Sequence, residues 1–204
     1  MVKMEAKRLI IVAVGGQGNL LASRVLGEAA LLSGVPVRMS EIHGMAQRGG
    51  VVESAMVFGD ACSPIISDGE ADILLGFEPA ETLRALRKCN AGSLAITNLS
   101  PLTPFTVTIG RGTYPGLGQI QKLVRAKVRK LVAFDATTLA KQAGNVMAVN
   151  MVLLGALLRE DALPLSAENV KTAIRTRTRK AFVETNLKAF DLGFAAAAGA
   201  SEEG

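Results

Sequence analysis

Residues 8–34, "RLIIVAVGGQGNLLASRVLGEAALLSG", decide the fold class. After its arginine the run "RLIIVAV" (8–14) is continuously apolar, the pattern of a strand buried on both faces rather than one that alternates toward solvent. The next four residues, "GGQG" (15–18), break the run and leave the strand through a glycine turn. "NLLASRVLGEAALLSG" then carries apolar residues at helical spacing and stops at Gly34, a C-terminal cap shortly before Pro36. With "VPVRMSE" (35–41) as a second strand, the segment makes a β-α-β unit, for which a right-handed crossover is expected.

The alternation continues outward. "VVESAMVFG" (51–59) reads as a further strand of the same sheet, "ADILLGF" (71–77) as a buried strand, and "EPAETLRALRKC" (78–89) as a helix with Pro79 in its first turn. "GSLAITN" (92–98) is a strand, and "TPFTVTIG" (103–110) is expected as a strand of edge type because Pro104 precedes it. "LGQIQKLVRAKVRK" (117–130) is a helix, and "LVAFDAT" (131–137) a strand with Asp135 at its carboxyl end. The segments 137–144, 145–160 and 166–193 have helical spacing, the last with Ser166 as a cap. The expectation is a single layered α/β domain over residues 1–193, Rossmann-like. It has a mostly parallel central sheet, helices packed on it and a helical C-terminal part, followed by a flexible tail at 194–204.

Composition narrows the function classes. Apolar residues make up 49 % of the 204 positions, yet tryptophan is absent and tyrosine occurs once, which describes a core of small side chains. The longest early apolar run is too short to span a bilayer and ends in a glycine turn, so no membrane association and a cytoplasmic location are expected. The net charge of +5 favours acidic or anionic partners. The basic residues are scattered, however, and stacking aromatics are scarce, which argues against nucleic acid. Cys62 and Cys89 stand 27 positions apart, a spacing that suits neither a metal nor a redox pair. They are expected as two buried, reduced thiols that hold no iron–sulfur cluster.

Two loops carry the candidate chemistry. Gly15, Gly16, Gln17 and Gly18 sit where a phosphate-binding turn would sit, at the start of a helix whose amides carry partial positive charge. Gly16 and Gly18 supply two positions of a dinucleotide fingerprint, and Glu41 ends the second strand where a ribose-binding carboxylate would stand. The third glycine position is Leu21, and no Gly-Lys-Ser/Thr follows. A tight turn, an anion site and a dinucleotide site all remain open readings. The second loop, "IHGMAQRGGVV" (42–52), lies on the same carboxyl edge, where open α/β sheets bind their ligands. His43 is a candidate general base, Arg48 a bidentate grip for carboxylate or phosphate, Gln47 a donor to a carbonyl, and Gly49 and Gly50 allow close backbone approach. The opposing reading of the histidine is a hydrogen-bonding piece of scaffold. Nothing in the sequence supplies metal partners for it or a serine nucleophile.

Taken together, "VGGQGNLLASRVLGEAALLSG", "SEIHGMAQRGGVVESAMVFG", "GEADILLGFEPAETLRAL" and "NVMAVNMVLLGAL" resemble the gamma-type domain of the 2-oxoacid:ferredoxin oxidoreductase superfamily. The resemblance runs in order from about residue 8 to about residue 193. The pattern Glu41, His43, Gly44, Gln47, Arg48, Gly49 is similar to that of the β subunits of the indolepyruvate type. It differs from the "PE-x-G-x-x-x-RG" style of the pyruvate and oxoglutarate types, and Ala13 stands where many gamma-type domains have a third glycine.

The resemblance implies the fold of domain III of pyruvate:ferredoxin oxidoreductase. It also implies a subunit whose large (alpha) partner carries thiamine diphosphate and [4Fe-4S] clusters. The implied reaction takes an aryl pyruvate such as indolepyruvate and coenzyme A to the aryl-acetyl-CoA and carbon dioxide while ferredoxin is reduced. On that view the chain binds no cofactor alone. Gly15–Gly18, Glu41, His43, Gln47, Arg48 and Gly49 would face partner, substrate or coenzyme. The alternatives are a gamma subunit of another 2-oxoacid:ferredoxin oxidoreductase and a dinucleotide-binding oxidoreductase. The basic segments "RAKVRK" and "RTRTRK" read first as solvated helix faces, with ferredoxin docking as the alternative.

Overall fold

The computed structural model describes residues 4–44 and 50–200 and folds them around one six-stranded sheet. The strands are β1 (Lys7–Val14), β2 (Val37–His43), β3 (Val51–Phe58), β4 (Ala71–Gly76), β5 (Cys89–Asn98) and β6 (Lys130–Phe134), in the order β2-β3-β1-β4-β5-β6. β1, β4, β5 and β6 pair parallel in succession, while β3 runs antiparallel to both β1 and β2. The mostly parallel sheet expected from the sequence is therefore present, with one reversal. The connection 44–50 is too short for the crossover that a parallel neighbour needs, so β3 turns straight back. Its insertion separates the two strands of the expected β-α-β unit.

The continuous apolar run of β1 is explained by burial on both faces. Leu9, Ile11 and Ala13 point into a core shared with α1 (Asn19–Leu32), α5 (Ala136–Ala143), α6 (Val149–Arg159), α7 (Ala167–Arg177) and α8 (Val183–Ala200). Ile10 and Val12 point into a second core closed by α2 (Pro79–Ala85) and α4 (Leu117–Lys127). The sheet is thus the middle of three layers.

Three sequence expectations need correction. Residues 103–110 form no strand; α3 (Phe105–Thr108) starts there, with the Pro104 carbonyl accepting from the Val107 and Thr108 amides at 3.0 and 3.1 Å. A proline just ahead of a helix costs no hydrogen bond, and the place beside β5 is already taken by β6. The helical stretch 166–193 breaks after Arg177, and α8 runs on to Ala200 through residues assigned to the tail. Cys62 is exposed and only Cys89 is buried, where desolvation outweighs its contacts with Ser93 and Lys127 and pushes the thiol up to about 11. Ser166 caps α7 as expected, accepting from the Asn169 amide at 3.1 Å.

α6 is buried over nearly its whole length because α8 lies directly on it. Two glycines permit this. A Cβ at Gly155 would stand 2.0 Å from the Phe190 carbonyl oxygen, and one at Gly193 would stand 1.8 Å from that of Val152. Backbone cannot yield as a flexible side chain can, so Gly155→Ala and Gly193→Ala are each expected to cost about 3 kcal/mol, at the upper end for overpacking. Gly27→Ala, in a helix where a Cβ meets nothing within 4 Å, is expected to gain up to ~1 kcal/mol. Urea unfolding of the three variants checks both signs.

Candidate functional site

The carboxyl ends of β1, β4, β5 and β6 meet along one edge of the sheet, and short polar side chains fasten them there. The Gln17 carbonyl accepts from the Val14 amide at 2.8 Å while its amide nitrogen donates to the Phe77 carbonyl at 3.3 Å. Asn98, buried at the end of β5, donates to the same Phe77 oxygen at 3.2 Å and to Thr137 Oγ1 at 3.1 Å, and accepts from the Ala136 amide at 3.0 Å. Asp135 caps α5 and accepts the Ser100 hydroxyl at 2.6 Å. Partial burial acts to raise its pKa. The hydroxyls of Ser100 and Thr138 and the amides of Thr138 and Thr137 outweigh that and hold the carboxyl below its usual range.

Between these loops lies a cleft of about 350 Å³, bounded by Gly15, Gly16, Ser100, Leu102, Thr137, Val146 and Met147. Gly16 has a φ of +101° and nothing within 4 Å of where its Cβ would be, so bare backbone faces open space. Leu102, Val146 and Met147 are each close to half exposed around the rim.

The two loops singled out in the sequence do converge. The Gly15 amide donates to the Gly50 carbonyl at 2.8 Å, and the Gly44 amide to that of Val51 at the same distance. His43 ends β2 opposite Val52. Gln47, Arg48 and Gly49 lie outside the described residues. Glu41 is held by the Ser23 hydroxyl at 3.1 Å. With β3 between β2 and β1, it stands two strands from the glycine loop, about 10 Å across the sheet, too far for the ribose position of a dinucleotide fold.

The profile of the pyruvate ferredoxin/flavodoxin oxidoreductase family matches residues 8–196. The chain belongs to that family. It is 45 % identical to the Pyrococcus horikoshii protein named indolepyruvate oxidoreductase subunit IorB, over 95 % of this chain and 97 % of that one. The protein of the same name from Thermococcus kodakarensis is 42 % identical over the same shares. Among solved structures, the gamma subunit of a keto/oxoacid ferredoxin oxidoreductase from Geobacter sulfurreducens is similar, with a TM-score of 0.69 and 26 % identity over 95 % of this chain and 99 % of its own. A 2-oxoglutarate:ferredoxin oxidoreductase chain from Magnetococcus marinus shares the fold at 17 % identity and a TM-score of 0.73. It covers 97 % of this chain but only 32 % of its own length, so there the fold is one part of a longer polypeptide.

In this member of the family the glycine loop serves the protein's own packing. Gly18 has a φ of +82°, and a Cβ on it would stand 2.5 Å from the Asn150 amide nitrogen, which donates to the Gly18 carbonyl at 3.2 Å. Asn19, buried at the start of α1, donates to the Val52 carbonyl at 3.1 Å and accepts from Ser54 Oγ at 2.9 Å, fastening the helix to β3. Among the described residues no three His, Cys, Asp or Glu side chains come together as a metal site. The edge is a shaped surface with one open backbone turn.

Sequence reasoning missed a carboxylate pair beside it. Glu78, fully buried at the start of α2, accepts from the Glu81 amide at 2.9 Å, the Leu102 amide at 3.2 Å and the Tyr114 hydroxyl, pinning the loop after β5. Burial and the Glu78 carboxylate push the Tyr114 phenol well above its usual range, so it stays a donor. Pro79 after an acidic residue at a strand end was the available signal. Glu81 is also buried, with one oxygen 2.7 Å from Arg84 and the other without a partner among the described residues. Burial raises its pKa, Arg84 opposes this, and the Glu78 charge reinforces it. A raised folded-state pKa favours the protonated form, so Glu81's contribution is full below about pH 4.5 and is lost as pH rises through the folded value. Glu81→Gln is therefore expected to flatten the fall in stability above pH 4.5, measured by denaturant unfolding at a series of pH values.

Proposed function

We propose that this chain is the β subunit of an indolepyruvate:ferredoxin oxidoreductase and completes the site of a larger partner subunit. The 45 % identity to an indolepyruvate oxidoreductase subunit, maintained over nearly the full length of both chains, carries this reading. The geometry supports it. A subunit that shapes a site needs a rigid edge, an open approach and an apolar rim, and all three occur where Gly16, Leu102, Val146 and Met147 meet.

The proposed overall reaction takes an aryl pyruvate, coenzyme A and two oxidised ferredoxins to the aryl-acetyl-CoA, carbon dioxide, two reduced ferredoxins and a proton. Thiamine diphosphate in the partner would supply the electron sink for decarboxylation, and [4Fe-4S] clusters there would carry the electrons. This chain's part is to present the backbone of Gly15 and Gly16 and the loop bearing His43, Gln47, Arg48 and Gly49 at the shared edge. Arg48 is assigned to a carboxylate or phosphate, and Gln47 to partner or substrate. No helix among the described residues is long and apolar enough to cross a membrane, and we assign the complex to the cytoplasm.

Ferredoxin-linked oxidation of indolepyruvate with coenzyme A, using the large subunit alone and then with this chain added, tests the reading. Activity is expected only with both. Arg48→Ala is expected to leave the complex assembled and to lower turnover by about tenfold or more, as loss of a charge-assisted contact does. A large subunit fully active by itself overturns the site-completing role.

Val146→Asp places a charge on the apolar rim without disturbing the core, since Val146 is 46 % exposed. It is expected to weaken association of the two subunits by about tenfold or more while the isolated chain melts as before, read by titration calorimetry and circular dichroism.

A further inference from the structure

The sheet has two outer strands, and they are finished differently. β6 is five residues long and opens on Lys130, with Arg129 just before it, the short and charged kind of edge that discourages further pairing. β2 is seven residues long, contains no proline or lysine, and pairs with β3 in an unbroken register. Its arginine and its glutamate are both held within the chain. Arg38 Nε donates to the Ala61 carbonyl, and Glu41 accepts the Ser23 hydroxyl at 3.1 Å. The side chains left at the surface are apolar, with Met39 42 % and Ile42 65 % exposed.

The free backbone of β2 follows from its pairing. The Gly59 amide donates to the Pro36 carbonyl and the Gly44 amide to that of Val51, so residues 36 and 44 form hydrogen-bonded pairs at the two ends of the β2–β3 ladder. Such pairs alternate along an antiparallel ladder, so the even residues between them turn their N–H and C=O groups toward β3. Val37, Met39, Glu41 and His43 turn theirs outward, where no strand among the described residues meets them. Outward donors and acceptors at a two-residue spacing are a template for another strand.

A second copy of β2 fits that template. Two-fold pairing must match outward residues with outward residues, which puts the axis at position 39, 40 or 41 if most of the strand is to overlap. An axis at Glu41 sets two like charges directly opposite, and one at Met39 places His43 opposite Val35, beyond the strand. An axis at Ser40 overlaps the whole of Val37–His43. Met39 then opposes Glu41, Arg38 opposes Ile42, and Val37 opposes His43, with no like charges facing.

The charge distribution agrees. Residues 82–134 contain nine Lys and Arg and no Asp or Glu, against a net charge of +5 for the whole chain. Most of that stretch forms β5, α4 and β6, and β6 lies five strand spacings, about 24 Å, from β2. Pairing through β2 keeps the two cationic ends several Debye lengths apart, where salt screens them. The same axis turns the carboxyl edges of the two sheets to opposite ends, so both clefts stay open.

We propose that β2 pairs antiparallel with β2 of a second copy of this chain about a two-fold axis at Ser40, joining two six-stranded sheets into one. This surface is separate from the cleft and does not depend on the oxidoreductase reading.

Disulfide trapping tests the register. Ser40 would face its own counterpart in a non-hydrogen-bonded pair with Cα atoms about 4.5 Å apart, within disulfide range. The two copies of position 42 would stand about 14 Å apart, out of range despite their greater exposure. Ser40→Cys and Ile42→Cys are each made in a Cys62→Ala chain, since Cys62 is exposed and Cys89 buried. They are oxidised under mild conditions, alone and in complex with the large subunit, and followed on non-reducing gels. A covalent dimer is expected from Ser40→Cys at least tenfold faster than from Ile42→Cys, in both settings. Adding Ile42→Lys, which sets a second cation opposite Arg38, is expected to slow it about tenfold. Sedimentation of the unmodified chain is expected to show a dimer that Ile42→Lys converts to a monomer with an unchanged circular dichroism spectrum. Four results overturn the proposal: a chain that sediments as a monomer, no covalent dimer from Ser40→Cys, cross-linking at position 42 as fast as at 40, or a cross-link at 40 that disappears in the complex, which gives this edge to the large subunit.

Discussion

Asn150 stands where a side chain on residue 18 would be, and the arrangement of the whole functional edge follows from that exclusion. Its amide donates to the Gly18 carbonyl across 132 positions of sequence, so the start of α1 is set by α6 rather than by a bound group. α6 in turn is fixed by α8, whose backbone lies against it through Gly155 and Gly193. The glycine turn therefore has its shape before any ligand arrives, and a loop already rigid is what a site shared between subunits requires. The same contact makes Gly18 unavailable for the close cofactor approach that a dinucleotide fingerprint implies.

Polar groups along this edge satisfy one another, and that decides what the chain can contribute. The Phe77 carbonyl accepts from both Gln17 and Asn98, tying the ends of β1, β4 and β5 at one atom. Asp135 and Glu78 are occupied with amides and hydroxyls of neighbouring loops. Carboxylates so engaged anchor loops and are poor general bases, because their acceptor sites are filled and, for Asp135, the pKa lies low. Bare backbone at Gly16 and an apolar rim are left over, and both suit a partner's surface better than a reacting carbonyl.

Much of this was legible in the sequence, for physical reasons that differ by element. β1 was legible because burial on both faces removes polar residues altogether, and the turn after it because only glycines tolerate the positive φ of residues 16 and 18. The helix caps at Gly34 and Ser166 follow from local chemistry and are where the sequence puts them. The position of β3 was not legible, since an apolar, β-branched run pairs equally well in either direction. Residues 194–200 misled because a run of alanines lacks periodicity; α8 persists there with Ala197 fully buried in the core. Asn98, Asn150 and Asn186 gave no signal at all, since a buried amide is recognised only by what surrounds it.

That last class separates the two concave regions. At the sheet edge every buried amide is matched by protein, so its capacity for a ligand rests on shape and on backbone. In the cavity beside α7 and α8 one buried amide is unmatched among the described residues, Arg179 meets no carboxylate among them, and the Phe182 ring is partly exposed. Unsatisfied groups cost stability wherever they stand. Arg179, Phe182 and Asn186 fall within seven positions of one another, so one short stretch between α7 and α8 supplies the charged, aromatic and amide parts of that wall. Met147 lines both spaces, so the α5–α6 connection forms a wall common to the two.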